Sequence, residues 1–332
     1  MTIALDVMGG DHAPEAIVKG ALEAAPLLRS KILLVGDDSK FKHLLPHPLP
    51  KNIEVVFASQ SVDMEEKPLD AYRNKKDSSL MVAARLVKEG QAQALVSAGN
   101  TGAASATALL QWRQIAGVHR PAIASHLPNR HGGFVLLDAG ASPDVDPEHL
   151  VEFAIMGRAY AQKLMGRANP KVQLLNIGEE PGKGNAFAKQ VYHLLEKHTW
   201  FAGNVEGKDM FSKPVDVVVC DAFVGNIVLK SCEGLAELIV DSIRKEVPTS
   251  MPAKLLYWPV GKVTKPLRKQ MDYAEVGGSP LLGLNGLCMI CHGRSSPKAI
   301  KNALLTTEKA LENGLVETIK TTVCDELGSI NE

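Results

Sequence analysis

Short apolar runs alternate with longer amphipathic stretches along almost the whole chain, and this alternation restricts the fold more than any other feature. A buried strand followed by a helix is the repeating unit of proteins whose parallel sheets are covered by helices. The pattern predicts strands at Thr2–Val7, Lys31–Val35, Ile53–Ala58, Ala94–Ser97, Pro121–Leu127, Phe134–Asp138, Val172–Ile177, Val215–Asp221 and Leu287–His292. It predicts helices at Glu15–Leu28, Ser79–Glu89, Ala103–Gln114, Pro147–Met165, Asn185–Lys197, Asn226–Lys245 and Pro297–Val323. We therefore expect an α/β fold with a mostly parallel sheet.

The composition agrees with this fold class. Apolar residues make up 45% of the chain but aromatic residues only 5%, so Ala, Val, Leu and Ile must fill the core, as is typical of parallel sheets. A length of 332 residues exceeds that of a usual single core, yet layered α/β proteins reach it as one unit. We expect a single domain over residues 1–332, with a helical arm projecting at about 235–278, where prolines interrupt the helical pattern.

The net charge, the cysteine content and the N-terminal sequence indicate which partners the protein can bind and in which cellular compartment it acts. Lys plus Arg and Asp plus Glu both number 37, so no net field attracts nucleic acid. The five cysteines, an odd number, lie mostly in apolar stretches, which is typical of a reducing compartment. The start lacks the features of a signal peptide, and no apolar run could span a bilayer. We expect a cytoplasmic protein; the apolar segment 255–259 could touch a membrane, pack on its own domain or, as we favour, contact another subunit.

Several predicted strands end in a polar or acidic residue followed by glycine and the start of a helix. The segments are 6–12, 97–102, 138–142, 176–180 and 221–226. Ligands of open α/β sheets bind outside the carboxyl ends of the strands, so these ends should gather into one site. One such loop alone is more often a simple turn, because reversing the chain already favours glycine. Five in succession favour a shared function.

The segment Ser97–Gly102 is the best candidate for a phosphate site. Its glycines allow close approach to the backbone, and it opens a predicted helix whose first N–H groups lack intrahelical partners and attract anions. Asn100 and Thr101 would add side-chain donors. The alternative is an ordinary helix N-cap.

Three familiar cofactor-binding motifs are incomplete, absent or in the wrong context. The segment 178–184 is one residue short of a nucleotide-binding P-loop, and Gly184 replaces the required Ser or Thr, although Lys183 could still neutralise a phosphate. No G-x-G-x-x-G fingerprint follows an early strand. The C-x-x-C-H spacing at 288–292 lies in an apolar strand pattern without an export signal or a second ligand pair, which argues against haem and zinc. We therefore expect no metal and no cofactor.

Taken in order, the motifs resemble a known family over the full length of the chain, the bacterial phosphate acyltransferases. The resemblance rests on the segments 6–11 with Pro14, 75–79, 96–103, 120–124, 147–150, 176–180, 183–185, 203–207, 277–283 and 292–293. The chain departs from the family pattern at four positions, Ser142, Ala222, Val276 and Arg294.

The resemblance implies a Rossmann-like α/β/α sandwich, similar to the phosphotransacetylases and isocitrate dehydrogenases, that acts as a homodimer without a redox cofactor. It implies that inorganic phosphate attacks the thioester of acyl-[acyl-carrier-protein] to give acyl-phosphate for phospholipid synthesis. The product would pass to a membrane-bound glycerol-3-phosphate acyltransferase, so peripheral membrane association is reasonable. The alternatives are a phosphotransacetylase-like enzyme that uses acyl-coenzyme A, an NAD-dependent dehydrogenase, and a non-catalytic scaffold that recruits the carrier protein to the membrane.

With this reaction in mind, we assign roles to the strand ends. Ser97, Asn100, Thr101 and Gly102 would cradle phosphate, Lys183 and His292 would balance developing charge, and Asp6 or Asp221 would orient a donor. Further substrate contacts are expected from Gly9, Gly10, Asp11, Gly99, Asn176, Gly178, Glu179, Asn204, Glu206, Gly225, Asn226, Gly277 and Gly278.

Overall fold

The computed structural model describes residues 1–246 and 277–328, and within them two mostly parallel sheets are covered by helices. The larger sheet has seven strands in the order β3-β2-β1-β4-β12-β11-β5. Its strands are β1 (Thr2–Asp6), β2 (Lys31–Gly36), β3 (Ile53–Phe57), β4 (Ala94–Ser97), β5 (Ala122–Ile123), β11 (Ser279–Leu282) and β12 (Leu287–Ile290). Only β11 pairs antiparallel, with β12 on one side and β5 on the other.

The smaller sheet has five strands in the order β6-β7-β10-β8-β9. They are β6 (Ser125–Leu127), β7 (Phe134–Leu137), β8 (Val172–Asn176), β9 (Phe201–Glu206) and β10 (Val217–Val219). All neighbours pair in parallel except β6 and β7. The mostly parallel arrangement predicted from the sequence is confirmed, but it is divided between two sheets.

Nine α-helices lie within the described residues. They are α1 (Glu15–Ala24), α2 (Pro68–Asn74), α3 (Ser79–Lys88), α4 (Thr101–Trp112), α5 (Pro147–Met165), α6 (Ala186–Leu195), α7 (Ala222–Glu246), α8 (Pro297–Glu312) and α9 (Leu315–Gly328). No helix in the described part of the chain is both long and apolar enough to cross a membrane.

Alternate residues of β1 show why the larger sheet is covered on both faces. Ile3 and Leu5 pack on one side with apolar residues of α1 and α8, whereas Ala4 packs on the other side with apolar residues of α3 and α4. Since successive strand residues point to opposite faces, a strand buried on both faces must be apolar throughout. This produces the layered sandwich expected for the chain.

Two predicted elements are wrong in extent. The single strand predicted at Pro121–Leu127 is two strands, because β5 joins the larger sheet and β6 the smaller one, each through its own antiparallel partner. The single helix predicted at Pro297–Val323 ends at Glu312 and resumes at Leu315, since Gly314 adopts a left-handed conformation (φ +63°). The sequence also gave no prediction for α2, β9 or β11.

The predicted arm at 235–278 falls only partly within the described structure. Residues 235–246 continue α7, and 277–278 lead into β11, while 247–276, including the apolar segment 255–259, lie outside the described residues. The arm and the single-domain organisation therefore stay predictions.

Candidate active site

The carboxyl ends of β1, β4 and β12 are neighbours at one edge of the larger sheet. In the strand register, Asp6 of β1 lies opposite Ser97 of β4, and Ser97 lies opposite Ile290 of β12. The loops that follow these strands therefore start side by side. The N–H of Asp11 donates to the oxygen of Gly293 (2.8 Å), which ties the loop after β1 to the loop after β12. The structure thus brings together the first and last of the motifs that the sequence separates by almost the whole chain.

Asp6 is the buried centre of this group, with 2% of its surface exposed. Its carboxylate accepts hydrogen bonds from the hydroxyls of Ser79 (2.5 Å) and Ser97 (2.8 Å) and from the backbone of Met8 and Gly9. Burial raises the pKa of Asp6 despite these hydrogen bonds. The carboxylate therefore fixes the positions of the Ser79 and Ser97 hydroxyls, and Ser79 is a partner that the sequence did not reveal. The orienting role of Asp6 stays a prediction.

Glycine is required where the loops after β1 and β4 touch. A Cβ on Gly9 would lie 2.6 Å from Asp6 Oδ2 and 2.9 Å from the backbone N of Gly99. The N–H of Gly99 in turn donates to Ser97 Oγ (3.1 Å). Gly10 has φ +113°, which favours glycine. The two glycine-rich segments are consequently packed backbone to backbone, with the Asp11 side chain exposed beside them.

The start of α4 is a capped helix N-terminus, one of the two interpretations that the sequence left open; the phosphate site stays a prediction. Asn100 is the N-cap, because its Oδ1 accepts from the N–H of Ala103 (3.0 Å). Its amide donates to the oxygens of Met64 (2.8 Å) and Glu66 (2.9 Å), so it holds the loop that precedes α2. Thr101 and Gly102 are exposed at the first turn, where backbone N–H groups have no intrahelical partner. Backbone donors, more than the Asn100 side chain, are available here for an anion.

A second group lies at the ends of β7 and β10 in the smaller sheet. Asp138 is fully buried and accepts from the N–H groups of Ile123, Gly140, Ala141 and Ser142, at 2.8–3.0 Å. Burial raises the pKa of this carboxyl as well. The sequence marks Asp138 only as the end of a strand, and the structure shows that it shapes the loop leading from β7 to α5.

The N-terminus of α7 packs against this loop. Asp221 caps the helix by accepting from the N–H of Val224 (2.9 Å). A Cβ on Gly225 would lie 1.9 Å from the oxygen of Asp138, and the nearest atoms to a Cβ on Gly140 belong to Asn226 (3.6–3.7 Å). Three predicted site residues, Asp221, Gly225 and Asn226, are thus brought to the end of β7.

The third group is the loop after β8. Asn176 donates to the oxygen of Lys183 (3.2 Å) and to Oδ1 of Asn204 (3.1 Å), and Asn204 donates to the oxygen of Glu180 (2.9 Å). A Cβ on Gly178 would lie 2.9 Å from Cγ of Lys183. The Lys183 side chain is half exposed, with Nζ 3.9 Å from Glu180 Oε2. The two asparagines therefore shape a loop that presents Lys183 at the end of the smaller sheet.

The remaining predicted residues have structural partners. Glu179 forms an ion pair with Lys213, and Glu206 pairs with Lys208 (2.7 Å), so both carboxylates face cations of the chain itself. Gly277 (φ +82°) lies against α8, where a Cβ would meet the backbone N of Ala303 at 2.2 Å. A Cβ on Gly278 would lie 2.9 Å from Cγ of Met289 in β12. These contacts give each residue a packing or pairing role.

His292 and α7 link the two sheets. The backbone N–H of Cys291 donates to the oxygen of Ser97 (2.8 Å), which places His292 beside the start of α4. Lys230 of α7 lies with Nζ 3.4 Å from His292 Nε2. Burial, followed by the charge of Lys230, lowers the pKa of His292. Lys230 was missed, although it lies one helical turn beyond Asn226, on the same helix as two predicted residues.

The cysteines of the C-x-x-C-H motif are separated by the strand. Cys288 packs into the core on one face of the larger sheet and Cys291 on the other, as expected for positions three apart in a strand. Burial raises the pKa of both thiols to about 12. Both are core residues, in agreement with the sequence interpretation.

Comparison with known proteins shows which family the chain is similar to. A family model described as fatty acid synthesis protein matches residues 1–318. The chain is 48% identical to the phosphate acyltransferase of Desulfitobacterium hafniense, over 96% of this chain and 97% of that protein. It is 49% identical to the phosphate acyltransferase of Heliobacterium modesticaldum over the same shares of each chain.

Solved structures agree on the fold. A phosphotransacetylase from Streptococcus pyogenes superposes with a TM-score of 0.59, at 17% identity, over 94% of both chains. At this identity the likeness concerns the fold, and it confirms the phosphotransacetylase-like architecture expected from the sequence.

Proposed function

The chain belongs to the fatty acid synthesis protein family and is an acyltransferase with phosphate as acceptor, and we propose that its acyl donor is acyl-[acyl-carrier-protein]. The product is acyl-phosphate, and the reaction supplies phospholipid synthesis. The observation that carries this proposal in the structure is the edge of the larger sheet. There, the exposed first turn of α4 and the His292 loop lie side by side, around the buried Asp6 network.

Phosphate needs little activation, because near neutral pH it is already a competent oxygen nucleophile. The protein must hold it, align it with the thioester carbon and stabilise the oxyanion that forms. The backbone N–H groups of Thr101 and Gly102 bind the phosphate, assisted by the partial positive charge of the helix N-terminus. Asp6 acts indirectly, since it fixes Ser97 and through it the N–H of Gly99.

Lys183 supplies positive charge from the neighbouring sheet. Its side chain is half exposed at the end of β8, and its ion-pair partner among the described residues is Glu180 at 3.9 Å, so it can turn toward an anionic substrate at small cost. Asn176 donates to the backbone oxygen of Lys183 and Asn204 to that of Glu180, and these two hydrogen bonds fix the backbone of the Lys183 loop. Asp221 keeps its orienting role in this proposal through the start of α7.

The Lys183 assignment is tested by Lys183→Ala, with Lys189→Ala as the matched control, since Lys189 is an exposed lysine of α6 just beyond the same loop. We expect Lys183→Ala to raise the phosphate concentration for half-maximal rate by roughly five-fold or more, because one charge contact with the anion is lost. The control should leave this concentration unchanged. Equal phosphate requirements in both variants would remove Lys183 from the site.

The substrate class is tested by comparing acyl-[acyl-carrier-protein] with the matching acyl-coenzyme A. The proposal expects faster phosphate-dependent thiol release from the carrier-protein thioester. A preference for coenzyme A would favour a phosphotransacetylase-like enzyme, and binding of the carrier protein without turnover would favour a scaffold.

The proposed cellular setting follows from this reaction. Acyl-phosphate is a reactive product, so a membrane-bound glycerol-3-phosphate acyltransferase that consumes it is the expected partner. We place the enzyme in the cytoplasm as a homodimer with peripheral contact to the membrane. Sedimentation analysis of the dimer and vesicle flotation test these two points.

A further inference from the structure

A groove of about 400 Å³ lies where α1 and α8 begin, and we call it the α1–α8 groove. These helices follow β1 and β12, so the groove opens at the same edge of the larger sheet as the candidate active site. Its volume is in the range of pockets that bind small organic molecules. Its lining is apolar at Ala13, Ala16 and Pro297 and charged at Asp11, Glu15 and Lys19.

The two helices that form the groove are held close together. A Cβ on Gly20 would lie 2.7 Å from the oxygen of Pro297 and 2.6 Å from Cβ of Ile300, so α1 and α8 touch one residue beyond Lys19. Such close packing leaves the helices little room to shift against each other. The groove is therefore a preformed feature of the fold.

Asp11 joins the α1–α8 groove to the candidate active site. Its N–H donates to the oxygen of Gly293 (2.8 Å), in the loop after β12. A Cβ on the preceding Gly10 would lie 3.0 Å from the oxygen of Ala98, in the loop that leads into α4. A ligand that fills the groove and extends past Asp11 would thus approach the first turn of α4.

The charges along the groove suit a mostly neutral ligand with one anionic end. Asp11 and Glu15 are exposed carboxylates, which accept hydrogen bonds from amide N–H and hydroxyl groups but repel anions. Lys19 is exposed one helical turn beyond Glu15, about 6 Å further along α1. Within the described residues, the lining sets two carboxylates against a single lysine, which disfavours a ligand with several phosphates.

The acyl group of the proposed donor is carried on a phosphopantetheine arm. This arm is a flexible chain of amide groups with methyl and hydroxyl substituents, and it ends in a phosphodiester on the carrier protein. We propose that the α1–α8 groove binds this arm, with Lys19 contacting the phosphodiester and with Asp11 and Glu15 accepting from its N–H and O–H groups. The apolar lining packs against its methyl groups, and the thioester at the other end lies beside the phosphate at α4. The inference rests on the proposed function, because it concerns the acyl donor.

The phosphodiester contact is tested by Lys19→Met, with Lys88→Met as the matched control. Lys88 is also an exposed helical lysine, but it lies in the last turn of α3 rather than in the groove. Each variant is assayed with two donors of the same acyl group, acyl-[acyl-carrier-protein] and the acyl thioester of N-acetylcysteamine, which lacks the phosphate end of the arm.

Lys19→Met should raise the KM for the carrier-protein donor about five-fold or more with kcat nearly unchanged, because the contact is equally strong in the ground state and the transition state. The truncated thioester lacks the group that Lys19 contacts, so its KM should change less than about two-fold. Lys88→Met should leave both KM values at those of the wild type.

Competition by the free arm gives a second readout. Phosphopantetheine should inhibit turnover of the carrier-protein donor about five-fold more strongly than pantetheine, which has no phosphate. This difference should disappear in Lys19→Met and return in Lys19→Arg, which restores a cation. The proposal would be overturned if Lys19→Met changed the KM of both donors alike, or if it left both KM values and the inhibitor difference unchanged.

Failure of the proposed function gives a different result. A wild-type protein that releases no thiol from either donor refutes the acyltransferase reaction, and the groove is then judged by calorimetric binding of phosphopantetheine. Weaker binding in Lys19→Met than in Lys88→Met would support the assignment of the groove, and equal binding would overturn it.

Discussion

Replacing Gly225 with alanine tests how closely α7 must approach the Asp138 loop. A Cβ at Gly225 would lie 1.9 Å from the oxygen of Asp138, which is 1.5 Å short of the 3.4 Å where ordinary contact begins. The helix or the loop must move by about that difference, and overpacking of this kind costs about 1–3 kcal/mol. We take the upper end, because the obstructing atom is backbone.

Alanine also favours the helix, which sets the net effect. Glycine costs about 1 kcal/mol relative to alanine within a helix, so the expected net destabilisation of Gly225→Ala is about 2 kcal/mol. Gly234→Ala is the matched control in α7, since no atom of the described residues lies within 4 Å of a Cβ there, and it should stabilise by about 1 kcal/mol. At roughly 2–4 °C per kcal/mol, the two Tm values should fall on opposite sides of the wild type.

The assay is thermal unfolding followed by circular dichroism, together with kcat at saturating substrates. Asp221 caps α7, and Lys230 of α7 lies beside His292. Displacement of the N-terminus of α7 should therefore lower kcat in Gly225→Ala and leave it unchanged in Gly234→Ala. Equal Tm and kcat in the two variants would refute the close packing of α7 on the Asp138 loop.

Two further predictions concern buried groups. Ser79→Ala removes a hydroxyl donor from the buried Asp6 carboxylate and should destabilise the fold by about 1–3 kcal/mol in denaturant unfolding; an unchanged midpoint would contradict the Asp6 network. In the native protein, maleimide should label the exposed Cys324 rapidly, while Cys288 and Cys291 should react only after unfolding. The reason is that burial raises the pKa of these two thiols to about 12. Mass spectrometry of peptides after timed labelling checks this.

The sequence predicted the layered α/β fold because the periodicity of single elements carries that information. It could not predict the division into two sheets, since Pro121–Leu127 reads as one apolar run, and only long-range partners, β11 and β7, separate its halves. The missed β11 has the same cause, because its short apolar run follows the interrupted segment of the chain and its pairing is antiparallel.

Strand ends were the basis on which the site residues were predicted. Asp6 and Ser97 end buried strands and His292 closely follows one, and the structure brings all three to one edge of the larger sheet. Ser79 and Lys230 were missed because each lies within a helix, and its contact with the site depends on how that helix packs. Asn100 was predicted to contact phosphate, with an ordinary N-cap as the alternative; the structure shows the N-cap, and the loop that Asn100 holds through Met64 and Glu66 depends on contacts distant in sequence.

Formation of acyl-phosphate from acyl-[acyl-carrier-protein] and phosphate is tested most directly by following both products of the reaction. Purified protein is incubated with acyl-[acyl-carrier-protein] and phosphate, and free thiol is counted. Acyl-phosphate is then separated from the carrier protein and trapped as the hydroxamate with hydroxylamine, because hydroxylamine also cleaves thioesters. We expect one hydroxamate for each thiol released, with both requiring phosphate. Thiol release that proceeds equally without phosphate, or that yields no trapped acyl-phosphate, would contradict this expectation.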